Sequence, residues 1–324
     1  MAIEKYVGTL DPGNAFRDWL MQVLGERVGD RNCRVLVYRI NPASHTVCRY
    51  EFPKQGFSVV AKFYAEPTGW MREYDPFQAM ENEFNTLKKI EPIVDIPRPL
   101  AIHRDFHCAL LTEHIRGRSF YKYMNDINKE GQLYDKLTAI ARAQRRLHDQ
   151  TKSEYRKDWV FARYHRVLDH LMLDIKTRTE YNSWLGAWWY SPLLDLKYGC
   201  RIHGDPNPLN YLFNHHRVYM LDFESSMEHA NFMHDLGIVA AELKNHFAIY
   251  RGDARRAEPY IGHFIWQYSR NEPEFHAITR ALPFFISLGL LRMARMKLGP
   301  DHRSFVFRES KACLESLESL ERLL

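Results

Sequence analysis

The 324-residue chain has little of what marks secreted or membrane-spanning proteins. It holds five cysteines, and no two of them have CxxC spacing, which argues against a disulfide framework or zinc site and for a reducing compartment. The longest apolar run, Ala281–Leu291, contains Pro283 and Gly289 and is too short to span a bilayer. The first residues lack the apolar stretch of a signal peptide. We therefore expect a cytoplasmic protein that does not enter a membrane.

The chain also has no large excess of basic or of acidic residues. The 45 basic and 40 acidic residues give a net charge of +5, which suits an anionic ligand such as a nucleotide but gives no reason to expect nucleic acid as a partner. The length fits about two domains.

The oligomeric state is open, because a terminal leucine stripe fits a docked helix, the favoured interpretation, or a dimer seam. That stripe comprises Leu314, Leu317, Leu320 and Leu323.

The pattern of apolar residues changes near residue 116. Before it, period-two patterns predict five strands, which cover residues 34–40, 47–52, 57–64, 100–103 and 108–115. Helices are expected over 14–28, with Asn14 as N-cap, and over 75–90. Beyond the change, helical spacing dominates, over residues 133–149, 159–176, 180–190, 233–250, 258–270, 278–297 and 307–324. We expect an α+β protein with two lobes, residues 1–113 and 114–324.

One loop in the helical half carries the residues of a chemical site. His203-Gly204-Asp205 is followed by Asn210, and Asp222-Phe223-Glu224 comes after a short apolar strand. Phosphoryl transfer from a magnesium nucleotide uses this set, with one aspartate at the acceptor hydroxyl and an asparagine and second aspartate on the metal. The alternative is that Asp205 only caps a turn in the loop. The amide of Asn210 and the carboxylate of Asp222 follow at the spacing that such a site needs, and they favour a catalytic role for Asp205. His203 is expected to be a packed framework residue, and Gly204 to allow a tight turn.

These motifs resemble the protein-kinase-like fold and, within it, the aminoglycoside phosphotransferase and choline kinase group, whose loop is H-G-D-x4-N. The resemblance implies a small antiparallel β-sheet N-lobe with one main helix, which binds the nucleotide, and a larger, mainly helical C-lobe. It implies an ATP-dependent phosphotransferase acting on a hydroxyl of an amino sugar, sugar or choline-like alcohol. Asp205 would be the base, and Asn210 and Asp222 would hold Mg2+.

Lys62 lies in the third predicted strand, on the face of Val60 and Tyr64. A cation on an apolar strand face suits the family's phosphate-binding lysine, although an edge lysine that discourages aggregation is the alternative. The resemblance pairs this lysine with a glutamate on the next helix. Glu83 is the favoured partner because it matches the family's E-x3-L spacing, and Glu81 is the alternative. Only one of them can face the lysine, since residues two apart on a helix point in different directions.

The resemblance also points to three other regions of the chain. The loop between the first two predicted strands has no glycine, so Ser44 and nearby backbone N–H groups are candidates for the phosphates, and GTP is permitted beside ATP. Glu113 and Ile115 occupy the hinge, whose backbone would bind the adenine edge. Asp235 resembles the aspartate that steadies the catalytic loop from beneath.

The acceptor is expected to be a small molecule. Only thirteen positions separate Asp222 from Asp235, which leaves no room for a peptide platform, and Glu224 replaces the usual glycine. The insert between residues 152 and 200 is rich in aromatics, which either pack in a core or form a wall for a sugar ring or quaternary ammonium. They are Tyr181, Trp184, Trp188, Trp189 and Tyr190. Glu224 and Glu228 could attract a cationic acceptor.

Two other functions fit the same residues less well. A nucleotide-binding scaffold without catalysis would explain the glycine-free loop, but it leaves the intact metal ligands without a purpose. A regulatory protein kinase would have to transfer phosphate to a peptide, and we rank it below both.

Overall fold

The chain folds as two units, and the computed structural model describes residues 3–41, 43–67, 74–126 and 131–322. The first unit comprises Met1–Arg118 and Leu212–Glu224, and the second comprises Ser119–Tyr211 and Ser225–Leu324. The segment that carries Asp222 therefore folds with the first unit. The functional division expected at residue 113 stays a prediction.

The first unit is built on a six-stranded antiparallel sheet with the strand order β1-β2-β3-β4-β6-β5. The strands are β1 (Ile3–Leu10), β2 (Val35–Asn41), β3 (His45–Phe52), β4 (Phe57–Pro67), β5 (Pro99–His103) and β6 (Ala109–Glu113). The five predicted strands are all present, but the expectation of only five was wrong. In the missed edge strand β1, Tyr6 and Val7 are about half exposed, and a bulge interrupts the register between Tyr6 and Gly8. No alternation of buried and polar residues therefore marks it.

Two helices accompany this sheet, α1 (Ala15–Leu24) and α2 (Pro76–Ile90). The predicted cap Asn14 accepts a hydrogen bond from the Arg17 backbone N–H, and Asp75 caps α2 in the same way. The apolar face of α1 packs on the sheet in one core, which includes Leu20, Leu24, Val35, Phe52 and Ala61. Residues of β4 belong to this core, and β4 carries Lys62.

Short strands lie near the sequence positions where the chain passes between units. A three-stranded sheet has the order β10-β9-β7. Its strands are β7 (Arg118–Ser119), β9 (Tyr211–Asn214) and β10 (Arg217–Met220). In the second unit, β8 (Cys200–Ile202) pairs with β11 (Met227–Ala230). Of these two strands, β11 was not predicted from the sequence.

The second unit is mainly helical, as predicted. Its helices are α3 (Phe120–Asn125), α4 (Gln132–Gln150), α5 (Lys157–His170), α6 (Ile175–Tyr190), α7 (Met233–Arg251), α8 (Glu258–Tyr268), α9 (Glu272–Met293), α10 (Pro300–Glu315) and α11 (Leu317–Glu321). Among the described helices, none combines the length and the apolar character that a bilayer crossing needs.

Two predicted helices are each divided in two. The helix predicted over 159–176 ends at His170, since Met172 has a positive φ and Asp174 caps the next helix. The helix predicted over 307–324 breaks after Glu315. Leu314 and Leu317 of the leucine stripe are buried, which fits a docked helix, and Leu323 lies outside the described residues.

Helices α7 and α9 approach closely because glycines lie at their contact. A Cβ atom added to Gly237 would lie 2.2 Å from the Cβ of Phe285, and one added to Gly289 would lie 2.6 Å from the Cβ of Ala241. Real Cβ atoms do not approach to such distances, so both positions require glycine as long as the helices keep this separation.

We expect Gly237→Ala to lower the free energy of unfolding by about 1–3 kcal/mol, because the added methyl group overpacks the contact between α7 and α9. Urea denaturation measures the change. The matched control is Gly262→Ala in α8, where an added Cβ meets no atom within 4 Å. There alanine should stabilise by about 0.5–1 kcal/mol. Equal effects of the two substitutions would contradict the close helix contact.

Candidate functional site

In the first unit, the Lys62 ammonium lies among three carboxylates. Its Nζ is 3.0 Å from Oε2 of Glu83, 2.7 Å from Oδ1 of Asp222 and 2.7 Å from Oε2 of Glu224. The lysine side chain is only 12% exposed. Tyr64, on the same strand face, donates its hydroxyl to Glu83. Strand β4, helix α2 and the segment after β10 thus meet at one ammonium group.

The pKa values in this cluster reflect burial and mutual charge. Burial alone would lower the pKa of Lys62, but the carboxylates of Asp222, Glu83 and Glu224 outweigh it and raise that pKa well above its usual value. Burial raises the pKa of Glu83, and the neighbouring carboxylates add to this against the pull of Lys62. Burial would also raise the pKa of Glu224, yet hydrogen bonds from His45 and Lys62 lower it. The cluster is therefore rich in negative charge.

Glu83, and not Glu81, is the helix residue that pairs with Lys62. Its second oxygen, Oε1, accepts a hydrogen bond of 3.0 Å from the Phe223 backbone N–H. Glu83 is 4% exposed, whereas Glu81 is half-buried elsewhere on α2. The ion pair that the E-x3-L spacing favoured is therefore present, and Glu83 also positions the backbone beside Asp222.

Asp222 has a left-handed backbone conformation, with φ of 62°. Residues other than glycine adopt it at an energetic cost, and aspartate tolerates it better than most. The sharp turn directs the carboxylate of Asp222 to Lys62 while the next backbone N–H reaches Glu83. Such a conformation persists because the hydrogen bonds on both sides hold it.

His45 was not predicted as a site residue. It begins β3, and its Nε2 lies 2.9 Å from Oε2 of Glu224. The ring is buried and packs against Tyr64, with centroids 4.9 Å apart, and against Tyr74. The start of β3, directly after the glycine-free loop, is thereby tied to Glu224. The predicted phosphate-binding Ser44 precedes it and is exposed.

The predicted hinge residues lie at the end of β6. Glu113 is held by ion pairs to Arg27 and Arg98 at 3.2 and 2.7 Å, so its side chain does not join the Lys62 cluster. Its backbone N–H donates to the Arg98 carbonyl. Ile115 is half-buried in residues 114–117, which form no strand or helix. Adenine binding by this backbone stays a prediction.

In the second unit, Asp235 holds the loop that carries Asp205. It is fully buried, and its two carboxylate oxygens accept hydrogen bonds from the backbone N–H groups of His203 and Gly204, at 2.7 and 3.0 Å. His148 Nε2 lies 3.2 Å away. Burial would raise the pKa of Asp235, but the hydrogen bond with His148 and other contacts lower it well below its usual value. The predicted supporting contact under the loop is therefore present.

Gly204 makes the tight turn before Asp205. Its φ is 83°, and a Cβ at this position would lie 2.0 Å from the backbone oxygen of Ser225. Conformation and space both exclude any other residue. The loop path is thus fixed by one glycine above a buried carboxylate.

The Asp205 carboxylate is oriented at both oxygens. Arg292 Nη2 donates to Oδ1 at 2.5 Å, and Asn207 Nδ2 donates to Oδ2 at 3.0 Å. Asn210 Nδ2 donates to the Asp205 carbonyl at 2.9 Å, which leaves the amide oxygen of Asn210 as the atom that could take a cation. Burial would raise the pKa of Asp205, but Arg292 outweighs it and lowers that pKa. The sequence signalled neither Asn207 nor Arg292.

The aromatic residues of the insert divide between the core of the second unit and its surface. Tyr181 and Trp188 are fully buried. Trp188 Nε1 donates to the Leu314 carbonyl at 3.0 Å, and Trp184 packs edge-on against Tyr181. Of the two carboxylates suggested for a cationic acceptor, Glu224 is bound to Lys62 and His45, and Glu228 is paired with Arg201. The core interpretation therefore holds for Tyr181 and Trp188, whereas Trp189 and Tyr190 are exposed.

Comparison with protein families places most of the chain in one group. Residues 40–270, more than half of the sequence, match the Phosphotransferase enzyme family. No curated protein matches the sequence.

Solved structures show the same fold at low sequence identity. A candidate aminoglycoside phosphotransferase from Ralstonia eutropha has a TM-score of 0.61 at 14% identity, covering 96% of this chain and 99% of its own. The ethanolamine kinase of Plasmodium vivax has a TM-score of 0.58 at 13% identity, over 88% and 83%. An amicoumacin kinase in complex with AMP-PNP and Ca2+ has a TM-score of 0.55 at 15% identity, over 86% and 88%. The predicted protein-kinase-like α+β fold is confirmed.

We expect Asp235→Asn to lower the free energy of unfolding at neutral pH by about 3 kcal/mol, because a buried charge with several hydrogen bonds is lost. Since the pKa of Asp235 is lowered in the folded state, its stabilising effect is complete above its unfolded pKa of about 4 and is lost as the pH falls through the folded value. The difference in the free energy of unfolding between wild type and variant should therefore become smaller at acid pH. Urea denaturation across pH measures it.

The control for this experiment is Asp195→Asn. Asp195 pairs with Lys157 but is 64% exposed, so its loss should change stability by less than about 1 kcal/mol. A gap for Asp235→Asn that is constant down to acid pH would contradict the lowered pKa.

Proposed function

Because the chain belongs to the phosphotransferase enzyme family, we propose that it transfers the γ-phosphoryl group of Mg-ATP, or of GTP, to a hydroxyl of a small molecule. The observation that carries this proposal is the Lys62 ammonium held among Glu83, Asp222 and Glu224. A lysine fixed by a helix glutamate beside a metal-binding aspartate is the nucleotide-binding arrangement of kinases.

The donor groups fit a magnesium ion. The carboxylates of Glu83, Asp222 and Glu224 offer oxygen atoms that all lie within 4.8 Å of one another. Mg2+ prefers hard oxygen ligands and is bound through one or two carboxylates together with nucleotide phosphates. We assign Asp222 as the carboxylate ligand and the amide oxygen of Asn210 as the second protein ligand. When bound, the ion would neutralise charge that develops on the transferred phosphoryl group.

Asp205 positions the acceptor. The acceptor hydroxyl donates its hydrogen bond to the Asp205 carboxylate, which Arg292 and Asn207 hold in one orientation. The hydroxyl oxygen bonds to the γ-phosphorus, the bond to the bridging oxygen breaks, and the nucleoside diphosphate leaves. The hydroxyl proton passes to Asp205 and then to solvent. Because its pKa is lowered, Asp205 orients the hydroxyl first and accepts the proton late.

A nucleotide-binding scaffold without catalysis is the second candidate. The contact of Glu224 with both Lys62 and His45 favours it. Because Glu224 forms an ion pair with Lys62, the ammonium group is less available to bind a phosphate. Titration with ATP or GTP and Mg2+, followed by detection of product over a library of hydroxyl compounds, separates the two functions. A protein kinase is disfavoured, because strand β11 and helix α7 take up the short stretch after Glu224.

We expect Asp205→Ala to lower kcat by about 10²–10⁴, because the acceptor hydroxyl loses the group that orients it and takes its proton. Nucleotide affinity, measured by calorimetry, should be retained. Asp158→Ala is the control, since Asp158 is 53% exposed and pairs only locally with Arg156. A kcat equal to that of the wild type in Asp205→Ala would refute the role.

Glu83→Gln and Glu81→Gln form a matched pair on α2. The first should lower kcat/KM for the nucleotide at least about tenfold, because Lys62 and the Phe223 backbone lose the charge that positions them. The second should change it less than about twofold. Steady-state kinetics at varied nucleotide concentration measures kcat/KM in both variants. Similar losses of kcat/KM in the two would show that the ion pair does not position the lysine.

A further inference from the structure

Three arginines lie around Asp205 in the second unit. Arg292, from the last turn of α9, bonds to the Asp205 carboxylate and, through Nη1, to the Gly204 carbonyl at 3.2 Å. Arg163, from α5, donates to the same carbonyl at 2.7 Å. Arg295 follows α9, and its charge acts on both Arg292 and Asp205. The surroundings of Asp205, where the acceptor is proposed to bind, therefore have a dense positive charge.

This positive charge is poorly balanced. Neither Arg163 nor Arg295 forms an ion pair with a carboxylate in the described part of the chain, and both donate to uncharged groups. Burial, followed by repulsion from Arg292, lowers the pKa of Arg163 to about 10 and also lowers that of Arg295. Both remain charged at neutral pH, and each would gain from an anion nearby.

The negative charge that faces the arginines is smaller. Asp205 is one source, the charge of Asp235 acts on Arg163, and Glu242 on α7 interacts electrostatically with both Asp205 and Arg292. Burial, with repulsion from Asp205, raises the pKa of Glu242 to about 7, so it is only partly ionised at neutral pH. Three full positive charges thus face two full negative charges and one partial negative charge.

We propose that the acceptor carries a carboxylate or phosphate group beside its reacting hydroxyl, and that Arg295, together with Arg292, binds this anion. The inference rests on the proposed phosphotransferase function and names its substrate class. An acceptor whose hydroxyl reaches Asp205, which is 27% exposed, has its other substituents within a few ångströms of Arg292. Arginine presents a planar fork that matches carboxylate and phosphate oxygens.

A cationic acceptor fits this site poorly. A choline-like or amino-sugar ammonium would approach Arg292 and Arg295 with the same sign of charge. Beside Arg292, whose side chain is 15% exposed, this repulsion is screened less than in water. The carboxylates suggested from the sequence to attract such a cation are occupied by Lys62, His45 and Arg201. The charge around Asp205 therefore favours an anionic alcohol.

The test uses acceptors matched in carbon skeleton, with the full-length protein, Mg2+ and ATP or GTP. Glycerate and glycerol 3-phosphate are compared with glycerol and serinol, and glucuronate and glucose 6-phosphate with glucose and glucosamine. We expect kcat/KM to be at least tenfold higher for anionic members than for their neutral and cationic counterparts. The carboxylate and phosphate arms distinguish the two kinds of anion.

Arg295→Gln should raise the KM for the anionic acceptor at least tenfold, with the loss in KM rather than in kcat, and Arg295→Lys should recover part of it. The KM for the nucleotide should change less than twofold, which separates binding of the acceptor anion from binding of the γ-phosphate. Arg308→Gln, at a residue 70% exposed on α10, is the control. A neutral or cationic member preferred by the wild type, or an unchanged acceptor KM in Arg295→Gln, would overturn the inference.

Failure of the proposed function has a different signature. If no compound is phosphorylated, the same compounds are titrated without nucleotide, and dissociation constants are measured by NMR. A tenfold preference for the anionic members that Arg295→Gln abolishes supports the anion site even then. Equal or reversed affinities refute it.

Discussion

The arrangement of the first unit depends on the pairing of one buried ammonium with three carboxylates. Glu83, Asp222 and Glu224 could not lie so close together with full charges unless a cation stood between them, and Lys62 could not be buried on its strand face without them. The same contacts hold a strand, a helix and a hairpin segment together. Removing any one partner therefore changes the position of the other groups.

The second unit uses a buried carboxylate in a different way. Asp235 is compensated by backbone N–H groups and by histidine rather than by a lysine, and it shapes a loop instead of joining elements of a sheet. Gly204 allows the chain to follow that shape. Asp205 is then oriented by Arg292 and Asn207. The candidate base Asp205 is thus oriented by neighbours that take no part in the proton transfer itself.

The sequence predicted the parts that have local signatures. Strand alternation identified the face of Lys62, the resemblance to the family's E-x3-L motif selected Glu83, and the loop motif pointed to Asp205. It could not predict contacts between distant residues without a shared pattern, since Arg292 is 87 positions from Asp205 and His45 is 179 from Glu224. The spacing of Trp188 showed a helix face but not that the face packs against Leu314 in the core.

The first unit is discontinuous in sequence, and this has a consequence for its folding during synthesis. Domains emerge from the ribosome N-terminus first and fold as units. Residues 1–118 appear long before residues 212–224, which complete the same unit. Until Asp222 and Glu224 have been translated, Lys62 has only Glu83 as an acidic partner from this cluster. While nearly a hundred residues of the second unit are synthesised, the nascent first unit therefore lacks two of the three carboxylates that pair with Lys62.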